Sequence, residues 1–154
     1  MNVLVLSDSH GAVHYLRRIL ETETECELVF FLGDGLSDME KVKTSFPEKK
    51  FICVKGNNDF YYNENREAYK YIDGMTIMAC HGDALGVRQT LQHLFSKTAS
   101  VRGNLALYGH THIRNLQSDA ATGVFAVNPG AVCDGRYCVL EIKNGMFEYY
   151  PKEI

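Results

Sequence analysis

The sequence predicts an α/β fold centred on a largely parallel sheet, and three observations carry that reading. Three short apolar runs early in the chain, Asn2–Leu6, 28–32 and 51–54, are separated by stretches whose apolar residues recur at helical spacing. Each run leads into a polar loop (Asp8-Ser9-His10, Gly33-Asp34, Gly56-Asn57-Asn58-Asp59) rather than a two-residue hairpin turn. Strands joined through helices make right-handed crossovers, which keep the strands parallel and put ligand-binding loops beyond their carboxyl ends.

Taken in order, Asn2–Leu6 is a strand bounded by polar residues, and Val13, Leu16, Ile19 and Leu20 mark the helix that follows. Residues 28–32 make a second buried strand. Met39, Val42 and Phe46 share one face of a helix over 37–46 that Pro47 stops, and 51–54 is a third strand. The second half changes character. Residues 68–72 and 76–79 flank Asp73-Gly74, a strong hairpin signal. A helix over 87–96 follows His81-Gly82, and the run 105–108 leads to Gly109-His110-Thr111-His112. The remainder reads as strands at 124–127, 137–142 and 146–150, the last two joined by Asn144-Gly145.

A chain of 154 residues suits a single domain over 1–154, with no linker. The net charge of -3 and pI near 6.1 lack the basic stripe of a protein that grips phosphates along nucleic acid, so extended nucleic acid is not an expected partner. No apolar run approaches the ~20 residues of a membrane span, and membranes are excluded on the same ground. The opening run has no basic segment before it and meets Asp8 and His10 at once, which marks a strand rather than a signal peptide. Five cysteines, an odd number without a CxxC pair, lie mostly inside apolar runs, which suits a reducing cytoplasm.

Seven side chains of metal-ligating type fall into five clusters: Asp8 with His10, Asp34, Asn57, His81, and His110 with His112. A single Asp or His near a strand end is usually a cap or turn residue. Five such clusters, each following an apolar run, point instead to a shared site. Imidazole nitrogen mixed with carboxylate and amide oxygen suits two divalent metal ions, manganese first, with nickel, iron, cobalt, zinc or magnesium as alternatives. Two ions about 3.5–4 Å apart orient a phosphate and lower the pKa of bound water. Together they carry +4, of which Asp8 and Asp34 offset two charges, so the pocket attracts an anionic ester although the chain is acidic.

In that order, Asp8-x-His10, Gly33-Asp34, Gly56-Asn57-Asn58-Asp59, His81-Gly82 and Gly109-His110-Thr111-His112 resemble the five blocks of the calcineurin-like metallophosphoesterase superfamily. The compact length and the Asn128-Pro129-Gly130 segment are similar to its small bacterial and archaeal branch, the YfcE-like phosphodiesterases. The resemblance implies a four-layer α/β/β/α sandwich of two mixed sheets flanked by helices. It also implies phosphodiester hydrolysis by water activated at a dinuclear metal centre. Asp8, His10 and His112 would then hold one ion, Asn57, His81 and His110 the other, and Asp34 would bridge them.

One position departs from the broader pattern. Many members of the superfamily carry a histidine after the ligand asparagine, where it protonates the leaving oxygen; here that residue is Asn58. An amide supplies no proton near neutral pH, although it donates a hydrogen bond to a phosphoryl oxygen. Diesters with acidic leaving alcohols are favoured over monoesters for that reason. Asn58 and Asp59 are the candidate catalytic residues, with a second reading for Asp59 as an acceptor that orients a ligand histidine. Phe60, Tyr61 and Tyr62 read equally well as the lining for a base or aryl group and as loop residues packed on a sheet edge. Arg66, Arg102, Arg114 and Arg136 are candidate substrate clamps. His14 and His93 belong to helix surfaces, and the Glu-rich stretch 21–27 to a solvated helix end.

The alternative reading is a non-catalytic interaction scaffold, because a subunit of the eukaryotic retromer complex resembles the same fold with an impaired site. The intact histidine set argues against it. A metal-dependent amidohydrolase would place its His-x-His pair early, on the first strand, where this chain has Asp-x-His. The expected partner is a small phosphodiester substrate, and fold analogy allows a homo-oligomer through an exposed strand or the aromatic loop.

Overall fold

The computed structural model describes residues 1–154. Strand alternation assigns each apolar run to two cores at once. In β1 (Asn2–Leu6), Val3 and Val5 face one way and Leu4 and Leu6 the other, and all four are fully buried. β1 pairs in parallel with β2 (Leu28–Phe31), and β2 with β3 (Lys50–Cys53). The crossovers run through α1 (Val13–Thr22) and α2 (Leu36–Lys43). Leu16, Ile19, Met39 and Val42 of these helices meet Leu4, Leu6, Val29 and Phe31 in an outer core.

The second sheet begins with the hairpin of β4 (Glu67–Ile72) and β5 (Met75–Cys80). It continues through α3 (Gln92–Ser100) to β6 (Leu105–Leu107), β7 (Asn115–Ser118) and β8 (Phe125–Asn128). β9 (Arg136–Lys143) and β10 (Met146–Glu153) then return to the first sheet, so the strand orders are β10-β9-β1-β2-β3 and β4-β5-β6-β8-β7. Val3, Val5, Phe30 and Leu32 pack against Ile77, Ala79, Leu105, Leu107 and Val127 between the sheets. On the far side Met78, Cys80 and Ala106 lie under Leu94 and Phe95 of α3. This is the expected four-layer α/β/β/α sandwich. Burial of each large apolar side chain contributes about 1.5–3 kcal/mol, so the alternating stripes on β1, β2 and β5 hold the layers together.

Both sheets are mixed, as the resemblance implied: β9, β10, β4 and β7 run antiparallel to their neighbours. Three features differ from the sequence reading. β7 went unread because Asn-Leu-Gln-Ser carries no apolar alternation; it is an edge strand paired only with β8, and Leu116 is exposed. The third helix begins at Gln92, not at residue 87. Asp83–Leu85 form a 3-10 turn, Gly86 is left-handed (φ 64°), and the Gln89 and Thr90 N–H groups both donate to the Gly86 carbonyl. That segment is therefore spent on turns. Finally, Glu23 is buried rather than solvated. Its Oε1 accepts from Tyr137 Oη (2.8 Å) and Lys152 Nζ (2.7 Å), which ties the end of α1 to β9 and β10.

One hairpin turn from each sheet meets the other at the amino ends of β1 and β5. Asp73 (φ 41°) with Gly74 (φ 89°), and Asn144 (φ 52°) with Gly145 (φ 73°), have the paired left-handed residues of type I′ turns. The Gly145 N–H donates to the Asp73 carbonyl (2.7 Å) and the Asn144 N–H to Asp73 Oδ2 (3.0 Å). The opposite end of the sandwich holds every metal-ligating cluster.

Candidate metal centre

Parallel strands in both sheets point their carboxyl ends the same way, so the loops after β1, β2, β3, β5 and β6 meet across the sandwich. Backbone bonds link them: the Asp8 N–H donates to the Gly33 carbonyl (3.0 Å), and the Gly109 N–H to the His81 carbonyl (3.0 Å). Two glycines permit the approach. A Cβ on Gly56 would lie 2.2 Å from Asp34 Oδ1, and one on Gly109 2.0 Å from Ser7 Oγ. Asp8, His10, Asp34, His110 and His112 all have positive φ, between 41° and 67°, a conformation that costs each a non-glycine penalty.

Six of the seven expected ligands come together. Asp8 is fully buried, and its Oδ2 accepts from the Ser7 hydroxyl and the His110 N–H (3.0 Å). This leaves Oδ1 facing Nε2 of His112 (3.1 Å), His10 (3.4 Å) and His81 (3.9 Å). Asp34 Oδ2 lies 3.4 Å from His81 Nε2 and 3.8 Å from His10 Nε2. His81 is 1% exposed and its Nδ1 lies 2.7 Å from the Leu32 carbonyl, so Nδ1 holds the proton and Nε2 faces the carboxylates. His110 turns Nδ1 to His81 Nε2 at 3.2 Å. Asn57 is exposed and makes no side-chain hydrogen bond to the other six.

The neighbours of Asn57 have partners other than those expected. Asn58 Nδ2 donates to Asp34 Oδ2 (2.7 Å) and its backbone N–H to Asp34 Oδ1 (2.8 Å), so it fixes a carboxylate. Asp59 orients no histidine, which corrects that expectation. Its buried carboxylate lies beneath two loops and accepts N–H bonds from Asp34 (2.8 Å), Gly35 (3.0 Å), Leu36 (3.0 Å) and Gly56 (2.8 Å). Phe60 and Tyr61 protrude, 73% and 98% exposed, while the Tyr62 hydroxyl donates to Glu40 (2.9 Å). Asp38 was not anticipated, and Asn128 was singled out only as part of the Asn-Pro-Gly segment, without a role. Asp38 Oδ2 accepts from Ser9 Oγ (2.6 Å) and the Gly11 N–H (2.8 Å), and Asn128 Nδ2 donates to the Gly109 carbonyl (3.0 Å).

None of the four arginines proposed as clamps bonds a ligand. Arg66 pairs with Asp83, Arg114 and Arg136 pair with Glu153, and Arg102 lies in the turn just after α3. Arg88 instead donates through Nε to His110 Nε2 (3.0 Å). A helix placed over 87–96 made it an ordinary surface residue, and only its place shortly after the His81-Gly82 block hinted otherwise.

Burial alone would raise the Asp34 carboxyl. The His81 ring and the Asn58 N–H groups outweigh burial and hold it well below the usual carboxylate range. Burial likewise opposes charge on His81, but the Asp34 and Asp8 carboxylates raise its pKa. His110 is lowered by burial and by the adjacent His81 and Arg88. Two donor triads, Asp8 with His10 and His112 and Asp8 with Asp34 and His81, have all their ligand atoms within 4.8 Å of one another. Cys133 and Asp134 lie within the same distance of a His112 nitrogen. Buried carboxylates crowded by imidazole nitrogens are the donor chemistry of divalent transition ions, and these residues fit such a group.

The chain is similar to a Bacillus subtilis (strain 168) protein described as probable metallophosphoesterase YsnB. The two are 30% identical over 152 residues, covering 94% of this chain and 86% of that protein. It superposes on the structure of an archaeal phosphodiesterase with a TM-score of 0.71 at 20% identity, covering 99% of this chain and all of the other. It also superposes on wild-type Vps29 of Entamoeba histolytica in complex with zinc, with a TM-score of 0.76 at 18% identity and 99% of each chain covered. These two likenesses establish the fold. The calcineurin-like phosphoesterase superfamily domain matches residues 1–145, and with the bacterial relative and the clustered donors it settles the family: the chain belongs to the calcineurin-like phosphoesterase superfamily.

Proposed function

We propose that this chain is a metal-dependent phosphodiesterase for small phosphodiesters, working as one domain over residues 1–154 in a reducing cytoplasm. The observation that carries the reading is the convergence of buried Asp8 and Asp34 with Nε2 of His10, His81 and His112 at 3.1–3.9 Å. In this reading Asp8, His10 and His112 would hold one divalent ion and Asn57, His81 and His110 the other, with Asp34, whose Oδ2 faces an imidazole from each set, shared between them. Manganese is the proposed ion; the donor set also accepts nickel, iron, cobalt, zinc or magnesium. Two such ions, when bound, orient a phosphate, draw charge from its oxygens and lower the pKa of water.

The chain's own residues prepare that site. The Leu32 carbonyl fixes the His81 tautomer, Asn58 aims the Asp34 carboxylate, and Asp59 locks the loops after β2 and β3 to each other. No imidazole stands at position 58 to protonate a leaving oxygen, so esters whose alcohols leave as stable anions are the better substrates. Turnover of an aryl phosphodiester, the matching monoester and an amide by manganese-loaded protein tests the reading. The diester should show the highest kcat/KM. Outright preference for the monoester would sink the argument from Asn58, and no turnover of any ester would favour the scaffold reading.

A further inference from the structure

Arg88 is the only arginine or lysine hydrogen-bonded to a candidate metal ligand. Besides the Nε contact, its Nη2 donates to the His110 carbonyl at 3.3 Å. Its backbone is anchored from below. Val87 is buried in the core under α3 and packs on Gly82, where an added Cβ would meet Val87 Cγ2 at 2.9 Å. The turn at Gly86 closes the other side. Arg88 itself is exposed. Beside it opens a groove of about 450 Å³ to which Arg88, Gln92, Thr111 and Asn115 contribute. Thr111 lies between two of the ligand histidines, so the groove and the metal end share a wall.

His110 offers Nδ1 to the metal side, beside His81, and Nε2 to Arg88. The guanidinium therefore stands on the outer edge of the His110 ring, between the metal end and the groove, with its Nη2 tethered to the His110 carbonyl.

Resting on the phosphodiesterase reading, we propose that Arg88 grips the substrate's phosphate: standing at the His110 edge of the metal end, its guanidinium donates to a non-bridging phosphoryl oxygen while the groove takes the ester's polar alcohol group. A planar guanidinium matches phosphate oxygens and adds positive charge where the reaction gathers negative charge. The groove's polar lining suits a hydrogen-bonding alcohol such as a sugar, not an acyl chain: Gln92 offers its amide, Asn115 keeps its carbonyl oxygen while its Nδ2 donates to Tyr108 Oη (2.9 Å), and Thr111 keeps its O–H while its oxygen accepts from Asn128 Nδ2 (3.1 Å).

Arg88→Gln and Arg88→Lys test this, with manganese and inorganic phosphate as calorimetric probes alongside diester kinetics. Manganese affinity should be retained in both variants. In the loaded Arg88→Gln protein, phosphate binding should weaken at least about tenfold and kcat/KM should fall about 10²-fold, with partial recovery in Arg88→Lys. Unaltered phosphate binding by the loaded Gln variant overturns the proposal. So does a fall of about 10–100-fold in manganese affinity that accounts for the kinetic loss, because that is the mark of a group that merely orients a ligand. Failure of the phosphodiesterase reading shows separately, as wild-type protein that hydrolyses no diester, and phosphate calorimetry still decides what Arg88 does.

Discussion

The two ends of the sandwich carry the same unusual backbone conformation for different reasons. At the amino ends of β1 and β5, Asp73 and Asn144 are left-handed inside Asp-Gly and Asn-Gly turns, where those residues adopt it at little cost and the reward is a closed hairpin. At the carboxyl ends the left-handed residues are Asp8, His10, Asp34, His110 and His112, and histidine has no local turn chemistry to repay the strain. Clamps packed beneath hold the strained loops: Asp59 under 34–36 and 56, Asp38 under 9–11, and Asn128 under Gly109. One end uses the left-handed conformation to close turns, the other to aim ligands.

Substitutions at the two ends should therefore separate function from stability. The largest effect belongs to Asp34→Asn, which removes charge from the carboxylate facing both imidazole sets. Diester turnover should drop about 10³-fold and metal stoichiometry should fall, and retention of both ions would refute the bridging role. Asp59→Ala leaves four N–H groups, three of them buried, without their acceptor. It should cost about 3 kcal/mol or more in urea unfolding of metal-free protein and weaken metal binding with it. Stability loss without any metal phenotype would show that the clamp does not aim the ligands.

The metal end should also respond to pH where the turn end does not. Metal binding needs neutral His81, and the neighbouring carboxylates raise its pKa above the usual 6.5, so protons compete with metal up to a higher pH than at an isolated histidine. Manganese affinity should fall on acidification through that raised value, by up to about tenfold per pH unit for each proton displaced. Affinity that is flat between about pH 6 and 8 would exclude His81 as a ligand.

At the other end Gly74→Ala forces a side chain into φ 89° and within 2.8 Å of Gly145 N, and should cost about 1–2 kcal/mol while turnover stays at the wild-type level. The smallest effect is expected for Asn144→Gly, within about 0.5 kcal/mol, since Asn already tolerates φ 52°. If either turn variant lost metal, the two ends would not be the independent regions described above.

Much of this arrangement was readable before folding, because periodicity is a local record of burial. Val3 and Val5 against Leu4 and Leu6, or Met39 with Val42, announce their faces by spacing alone, and Asp73-Gly74 announces its turn. β7 was not readable, since an exposed edge strand buries no stripe that could leave a pattern. Nor was the start of α3, where Gly86 and the Thr90 hydroxyl, which accepts from the Gln92 N–H, override apolar spacing that alone supports a helix from Val87.

The sequence by itself determined the ligand types, their order along the chain and their place after apolar runs, because each of those is a property of a few consecutive residues. Tertiary structure alone decided which atoms meet. His112 reaches Asp8 across 104 positions and Asn58 reaches Asp34 across 24, and such pairings depend on how two sheets twist and stack. The partners of Asp59, the tautomer of His81 and the contact of Arg88 with His110 follow from the same cause: a side chain's hydrogen-bond partner is set by whatever packing brings within about 3 Å, and no local pattern encodes that distance.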